Sequence, residues 1–170
     1  MEQVKAVVEA LIFVAETPLS LGKIVEIMGD VSREVIAAAV DDLVREYDGR
    51  GGGIVLVEVA GGFQFRTKEM CAPWIRQLTA SRPRALSQAA LETIAVIAYR
   101  QPVMKSEIEK VRGVDVSGIL KGLMEKNLVR IVGRKDVPGR PIIYGTTKKF
   151  LEVFGLRDLS DLPTLEELEG

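Results

Sequence analysis

The sequence predicts a mainly α-helical chain with small β-hairpins, an α+β fold made of two tandem copies of one small module. Three observations predict it. Apolar residues recur at helical spacing in segments punctuated by serines, prolines and glycines. Paired β-prone runs close each half of the chain. The chain also matches itself when slid by 84 residues: Pro18 meets Pro102, Gly29 meets Gly113, Ile24 meets Ile108, Ile27 meets Val111 and Val35 meets Ile119. Val7, Ala10, Leu11 and Val14 then meet Leu91, Ile94, Ala95 and Ala98. Core positions and helix stops coincide together, which periodicity within one helix would not produce.

The elements follow in order. Residues 1–15 read as a helix with Val7, Ala10, Leu11 and Val14 on one face, broken at Thr17-Pro18-Leu19-Ser20. Ser20 caps a short second helix to Met28, and Ser32 caps a third to about Tyr47, with Val35, Ala39, Val40 and Leu43 inward. A glycine-rich turn, Asp48 to Gly53, leads to strands at Ile54–Val59 and Phe63–Arg66. Helix, helix, helix, hairpin is the order of a winged helix. Residues 69–80 form a connecting helix with Trp74, Ile75 and Leu78, and Ser81-Arg82-Pro83-Arg84 is the linker. The order then repeats. Ser87 caps a helix to Arg100, stapled by Leu86 and Leu91; helices follow at 105–112 and 115–126, strands at 128–132 and 141–144, and a last helix at 148–154. The predicted organisation is therefore two tandem winged-helix domains, 1–80 and 81–156, with a flexible acidic tail over 157–170.

Composition excludes most chemistry. The 170 residues include no histidine and one cysteine, Cys71. The commonest general base and metal ligand are absent, no ordinary zinc site can be built, and no internal disulfide is available. Gly113 and Gly118 have phosphate-loop spacing, but Ile119 and Leu120 stand where that loop needs lysine and serine or threonine. Cys71 has no histidine partner, and neighbouring acids such as Asp41 and Asp42 diverge on a helix. No enzyme, cofactor or metal is expected. No run is long enough to span a bilayer, and the start, with Glu2 beside Lys5 and no small-residue cleavage pattern, does not read as a secretory signal. The expectation is a cytoplasmic protein.

Charge is uneven: residues 1–80 carry net −4, residues 81–150 net +8 and residues 151–170 net −5. A winged helix raises the alternative of a DNA-binding transcription regulator, whose third helix reads the major groove. Here that helix carries Arg33 and Arg45 against Glu34, Asp41, Asp42 and Glu46 in the first copy. In the second it carries Lys121 and Lys126 against Asp115 and Glu125, with Asn127 only at its end. Base readout leans on Arg, Asn, Gln and Lys, so sequence-specific recognition is poorly supported. Arg130, Arg134, Lys135, Arg140, Lys148 and Lys149 on or near the second hairpin could contact phosphates without sequence preference, or pair with an acidic protein segment; the second reading is favoured because the whole chain has no net positive charge.

Three segments carry a family resemblance: LSQAALETIAVIAYRQP from Leu86, EIEKVRGVD from Glu107 and GRKDVPGRPIIYGTTKKFLEVFGL from Gly133. With these the chain resembles the segregation and condensation protein B family over nearly its whole length. The resemblance implies homodimerisation through the first domain and binding to a kleisin subunit, segregation and condensation protein A. Through that kleisin it implies assembly with the structural-maintenance-of-chromosomes ATPase at the nucleoid, in chromosome condensation and partition. Met104 departs from the family pattern, which usually has threonine there; this leaves the start of that helix open, with Ser106 two residues on as an alternative cap.

The residues also suggest where partners sit. Val4, Val8, Ile12 and Ala15 form a second apolar stripe beside the core stripe of the first helix, and a helix apolar on both stripes must be buried twice. This makes them the candidate dimer surface, unless the hairpin or connecting helix covers them internally. In the helix from Ser87, Leu91, Ile94, Ala95 and Ala98 satisfy the core while Val96 and Tyr99 lie beside it. Val96, Tyr99, Arg134, Arg140 and Tyr144 are the candidate kleisin-binding residues, Tyr99 and Tyr144 lining a groove or else serving as ordinary half-buried core. The Pro138-Gly139-Arg140-Pro141 turn needs only its prolines and glycine for rigidity, so Arg140 is free to meet a carboxylate.

Overall fold

The computed structural model describes residues 2–78, 85–164 and 167. The expected linker at 81–84 lies outside the described residues. The chain divides into two compact units, one of residues 1–82 with 155–170 and one of residues 83–154.

In the first unit, α1 (Glu2–Val14), α2 (Leu21–Met28) and α3 (Arg33–Gly49) precede β1 (Ile54–Val59) and β2 (Gly62–Thr67). The caps are where capping chemistry put them. Ser20 Oγ accepts from the Lys23 N–H at 3.2 Å, and Ser32 Oγ from the Val35 N–H at 3.4 Å. β1 and β2 pair antiparallel, with Val59 opposite Gly62 closing a two-residue turn. A Cβ on Gly62 would sit 2.8 Å from the backbone carbons of Pro18 and Leu19, so only glycine lets the hairpin approach the α1–α2 loop. That approach is used: Leu19 and Phe63 exchange both backbone hydrogen bonds at 2.9 Å. Val8, Ile12, Ile24, Ile36, Ala39, Val40, Leu43, Tyr47 and Leu56 form the core. A 3₁₀ turn (Glu69–Cys71) and α4 (Ala72–Leu78) follow, with Met70, Trp74 and Leu78 exposed.

The second unit repeats the order with α5 (Gln88–Arg100), α6 (Lys105–Arg112), α7 (Ser117–Glu125), a hairpin of β4 (Val129–Arg134) and β5 (Ile142–Thr146), and α8 (Lys148–Phe154). A short strand not expected from the sequence, β3 (Val103–Met104), pairs with β5, making a three-stranded sheet in the order β3-β5-β4. It is the counterpart of the Leu19–Phe63 bridge, and two residues are too few to show a period of two. Ser87 Oγ accepts from the Ala90 N–H at 3.2 Å. Gly113 ends α6 at φ +72, the left-handed conformation glycine adopts freely. α6 starts where the sequence reading placed it, and Ser106 does not take over the cap. Lys105 is its first residue, and Glu107 Oε2 accepts the Met104 N–H at 2.8 Å, one half of a capping box that needs no hydroxyl at Met104.

The sequence reading set residues 157–170 apart as a tail. Leu156 and Arg157 instead accept hydrogen bonds from Ala60 and Gly61 of the first hairpin, at 2.8 and 3.0 Å, and a 3₁₀ turn (Leu159–Asp161) follows. Residues 165, 166 and 168–170 lie outside the described residues.

Candidate partner-binding surfaces

The faces of α1 are the reverse of those expected. Val8 and Ile12 are 0% and 2% exposed and sit in the core with α3, while Val4 and Ala15 are half-buried. The expected dimer stripe is thus the inward stripe. Of the residues expected inward, only Leu11 packs on the core; Val7 is half-exposed, Ala10 is exposed, and Val14, like its neighbour Phe13, is 72% exposed. The orientation is fixed by α1's polar flank. Lys5 Nζ lies 2.7 Å from Glu46 on α3, and the Tyr47 hydroxyl donates to Glu9. The Glu9 bond, then burial, raises the Tyr47 pKa, and Lys5 holds the Glu46 carboxyl below its ordinary value. With that flank turned to α3, Val8 and Ile12 point in and Ala6, Ala10 and Val14 point out.

α5 behaves the same way, one residue out of step with the 84-residue match. Thr93, Ile94, Ile97 and Ala98 are buried, and the Thr93 hydroxyl satisfies itself on Ala89 O at 2.8 Å. Ile94 and Ala98 are core as expected; Leu91 and Ala95 are not. Leu91, Ala95 and Tyr99 are exposed at spacings of four, and Val96 is half-buried beside them. Val8 and Ile12 therefore correspond to Thr93 and Ile97, and the outer stripe Ala6, Ala10, Val14 corresponds to Leu91, Ala95, Tyr99. Each module opens with a helix that leaves an apolar stripe outside its own core.

Tyr144 does not line an open groove with Tyr99. It is 9% exposed, on β5 between Val103 and Ile131, and belongs to the core face of the sheet. A cleft of about 300 Å³ lies elsewhere in this unit, where Leu86 and Ala90 at the start of α5 face Gly118, Ile119 and Gly122 of α7. Nothing lies within 4 Å of the place a Cβ would take on Gly118 or Gly122, and this leaves the cleft open. The glycines at i, i+4, Gly118 and Gly122, were the signal in the sequence; only Gly118 was weighed there, with Gly113, as a failed phosphate loop.

Arg134 and Arg140 are brought together, but not as a pair of free cations. Arg134 Nη1 donates to the Arg140 carbonyl at 3.1 Å, bracing the wing turn, in which Arg140 has φ +41. The Arg140 side chain is exposed. Lys135 lies 3.4 Å from Glu107, whose carboxyl is held below its ordinary value first by the Met104 N–H and also by this lysine. Sequence reasoning missed Gln101. Its Oε1 accepts the buried Thr146 N–H at 2.8 Å, and its Nε2 donates to Thr146 Oγ1 at 3.0 Å and Ala98 O at 3.1 Å, latching the end of α5 to β5.

The model of the family described as segregation and condensation complex subunit ScpB matches residues 6–165. The chain belongs to the segregation and condensation protein B family. A member from Syntrophotalea carbinolica is 52% identical over 165 residues, covering 97% of this chain and 83% of its own length. One from Myxococcus xanthus is 47% identical over 166 residues, and the chain spans half the length of that relative. A solved dimer of the ScpB N-terminal domain complexed with ScpA peptide is 36% identical over 45% of this chain and 95% of that chain, with a TM-score of 0.42. Among the described residues of this family member, no helix is long and apolar enough to cross a membrane.

Proposed function

We propose that this chain is a non-catalytic scaffold. Its first module pairs two copies, and its second module holds a kleisin subunit, segregation and condensation protein A. Through that kleisin it joins the structural-maintenance-of-chromosomes ATPase at the nucleoid, in the cytoplasm, and hydrolysis of ATP belongs to the partner. One observation carries the reading: each module presents an outward apolar stripe on its opening helix, Ala6, Ala10 and Val14 in one and Leu91, Ala95 and Tyr99 in the other. The solved relative that is a dimer complexed with ScpA peptide supports the same partners. The dimer surface is Val7, Ala10, Phe13 and Val14 rather than the Val8 and Ile12 stripe. The kleisin surface is Val96 and Tyr99 with the α5–α7 cleft, and exposed Arg140 in the wing turn offers a separate charge to an acidic segment of the same partner.

Sedimentation of the purified chain tests the first half. Val14→Asp should convert dimer to monomer with unchanged circular dichroism; a Val14→Asp protein that still sediments as a dimer removes the stripe from the reading. Calorimetry with a central kleisin fragment tests the second half, with Ala95→Asp weakening binding about tenfold or more. A native chain that shows no heat at low salt would end the kleisin reading. The acidic third helix, where Arg45 is spent on Asp42, disfavours a sequence-specific DNA reader.

A further inference from the structure

We infer that residues 155–161 are a strap that closes the tip of the β1–β2 hairpin, so that the second module is an insertion tethered to the first at both ends of its sequence. The tip explains the need. Ala60 and Gly61 have φ +52 and +72, the positive pair a two-residue type I′ turn requires. In such a turn the ladder uses the groups of Val59 and Gly62, and the two central N–H groups point outward. Here both are taken: Ala60 N–H by Leu156 O at 2.8 Å and Gly61 N–H by Arg157 O at 3.0 Å. Two adjacent donors meet two adjacent carbonyls, which a chance graze of a loose tail would not produce.

The strap is built to hold that shape. Gly155, at φ +70, turns the chain out of α8. Arg157 grips Asp161 through Nε at 3.0 Å, Nη2 at 2.6 Å and its backbone N–H at 2.8 Å. Asp158 Oδ1 accepts from the Ser160 N–H at 2.7 Å and Oγ at 2.5 Å. These bonds pre-form the segment, so less chain entropy is lost when it docks. The Asp161 carboxyl, held at about 2 chiefly by Arg157, keeps the clasp ionised at neutral pH. Among the described residues the other hairpin has no such segment; its tip is braced from within by Arg134 on Arg140 O, and it serves as an internal control.

Nuclear magnetic resonance of the full chain decides the matter. Scalar couplings across the hydrogen bonds from Ala60 N to Leu156 C′ and from Gly61 N to Arg157 C′ should be present, with both amides slow to exchange. Ending the chain at Phe154 should speed exchange at Ala60 and Gly61 about tenfold or more while α5 and the Lys135 and Arg140 amides stay as they were. Should the shortened chain fail to fold, Arg157→Ala with Asp161→Ala in the full chain makes the same comparison. Absent couplings, or Ala60 and Gly61 amides that exchange in the native chain as fast as a free loop, would overturn the strap.

Discussion

The two modules share a core plan and differ in what they leave outside it. Ile24 and Ile108 are both 0% exposed, and Ile36 and Ala39 of α3 are matched by Leu120 and Leu123 of α7. The opening helices diverge: α1 leaves Phe13 and Val14 largely exposed, whereas α5 replaces them with buried Ala98 and a half-exposed Tyr99. The wing tips diverge as well, one capped by a distant segment and the other braced by its own arginine. Duplicated folds keep the contacts that make a core and spend their differences on surfaces that meet other things.

The sharpest way to break this comparison is to place one charge on each face of both opening helices. Ile12→Asp and Ile97→Asp bury an unpaired carboxylate, and each should unfold its own module, seen as lost helical circular dichroism and a cost of several kcal/mol. Val14→Asp and Ala95→Asp should leave each fold within about 0.5 kcal/mol in urea melts. A folded Ile12→Asp protein would reverse the assignment of faces.

A smaller effect separates the modules at one position. Gln101→Ala leaves the Thr146 N–H unsatisfied and should cost the second module about 1–3 kcal/mol, with no change in the first; equal losses in both would contradict the latch. Smaller again is the cap of the third helix. Ser32→Ala should cost about 1 kcal/mol in thermal melts, since Ser32 Oγ is the acceptor there. The matching N-cap of α7 is Val116, so Val116→Ala should show no loss of a cap at all, only of its buried methyls.

The least effect concerns pH. α7 is entered through Asp115, whose carboxyl is lowered from 3.8 to about 2, first by Ser117 and then by Lys105. A carboxyl depressed on folding stabilises above its unfolded value, and that contribution fades as pH falls toward about 2. Asp115→Asn should flatten the acid limb of stability between 3.8 and about 2; an unchanged limb would show that Asp115 plays no part in it.

Much of this was legible in the residues. Ser20, Ser32 and Ser87 cap because a side-chain oxygen at that place needs no tertiary partner, and Gly113 stops α6 for an equally local reason. The α1 stripe was not legible. Val4, Ala6, Val7, Val8, Ala10, Leu11, Ile12, Phe13 and Val14 make the helix apolar over most of its circumference, so periodicity offers two stripes and no ground for choosing. The tie is broken by Glu46 and Tyr47, more than thirty residues downstream, which no window on α1 contains. Tyr144 was left open between groove and core for a related reason: its sequence neighbours are the same whether it lies on the inner or the outer side of β5, and its pairing with Val103 decides.

By itself, then, the sequence determined the order of the main helices and hairpins and the serine caps that start three of the helices, that the module occurs twice, and that histidine chemistry is absent, because each depends on local backbone preference or on composition. Only the tertiary structure decided which side of α1 is buried, that Gln101 locks α5 to β5, and that Leu156 and Arg157 return to Ala60 and Gly61. Those are choices between partners of nearly equal local merit. Backbone carbonyls, above all, carry no side-chain signature that could announce where they will bind.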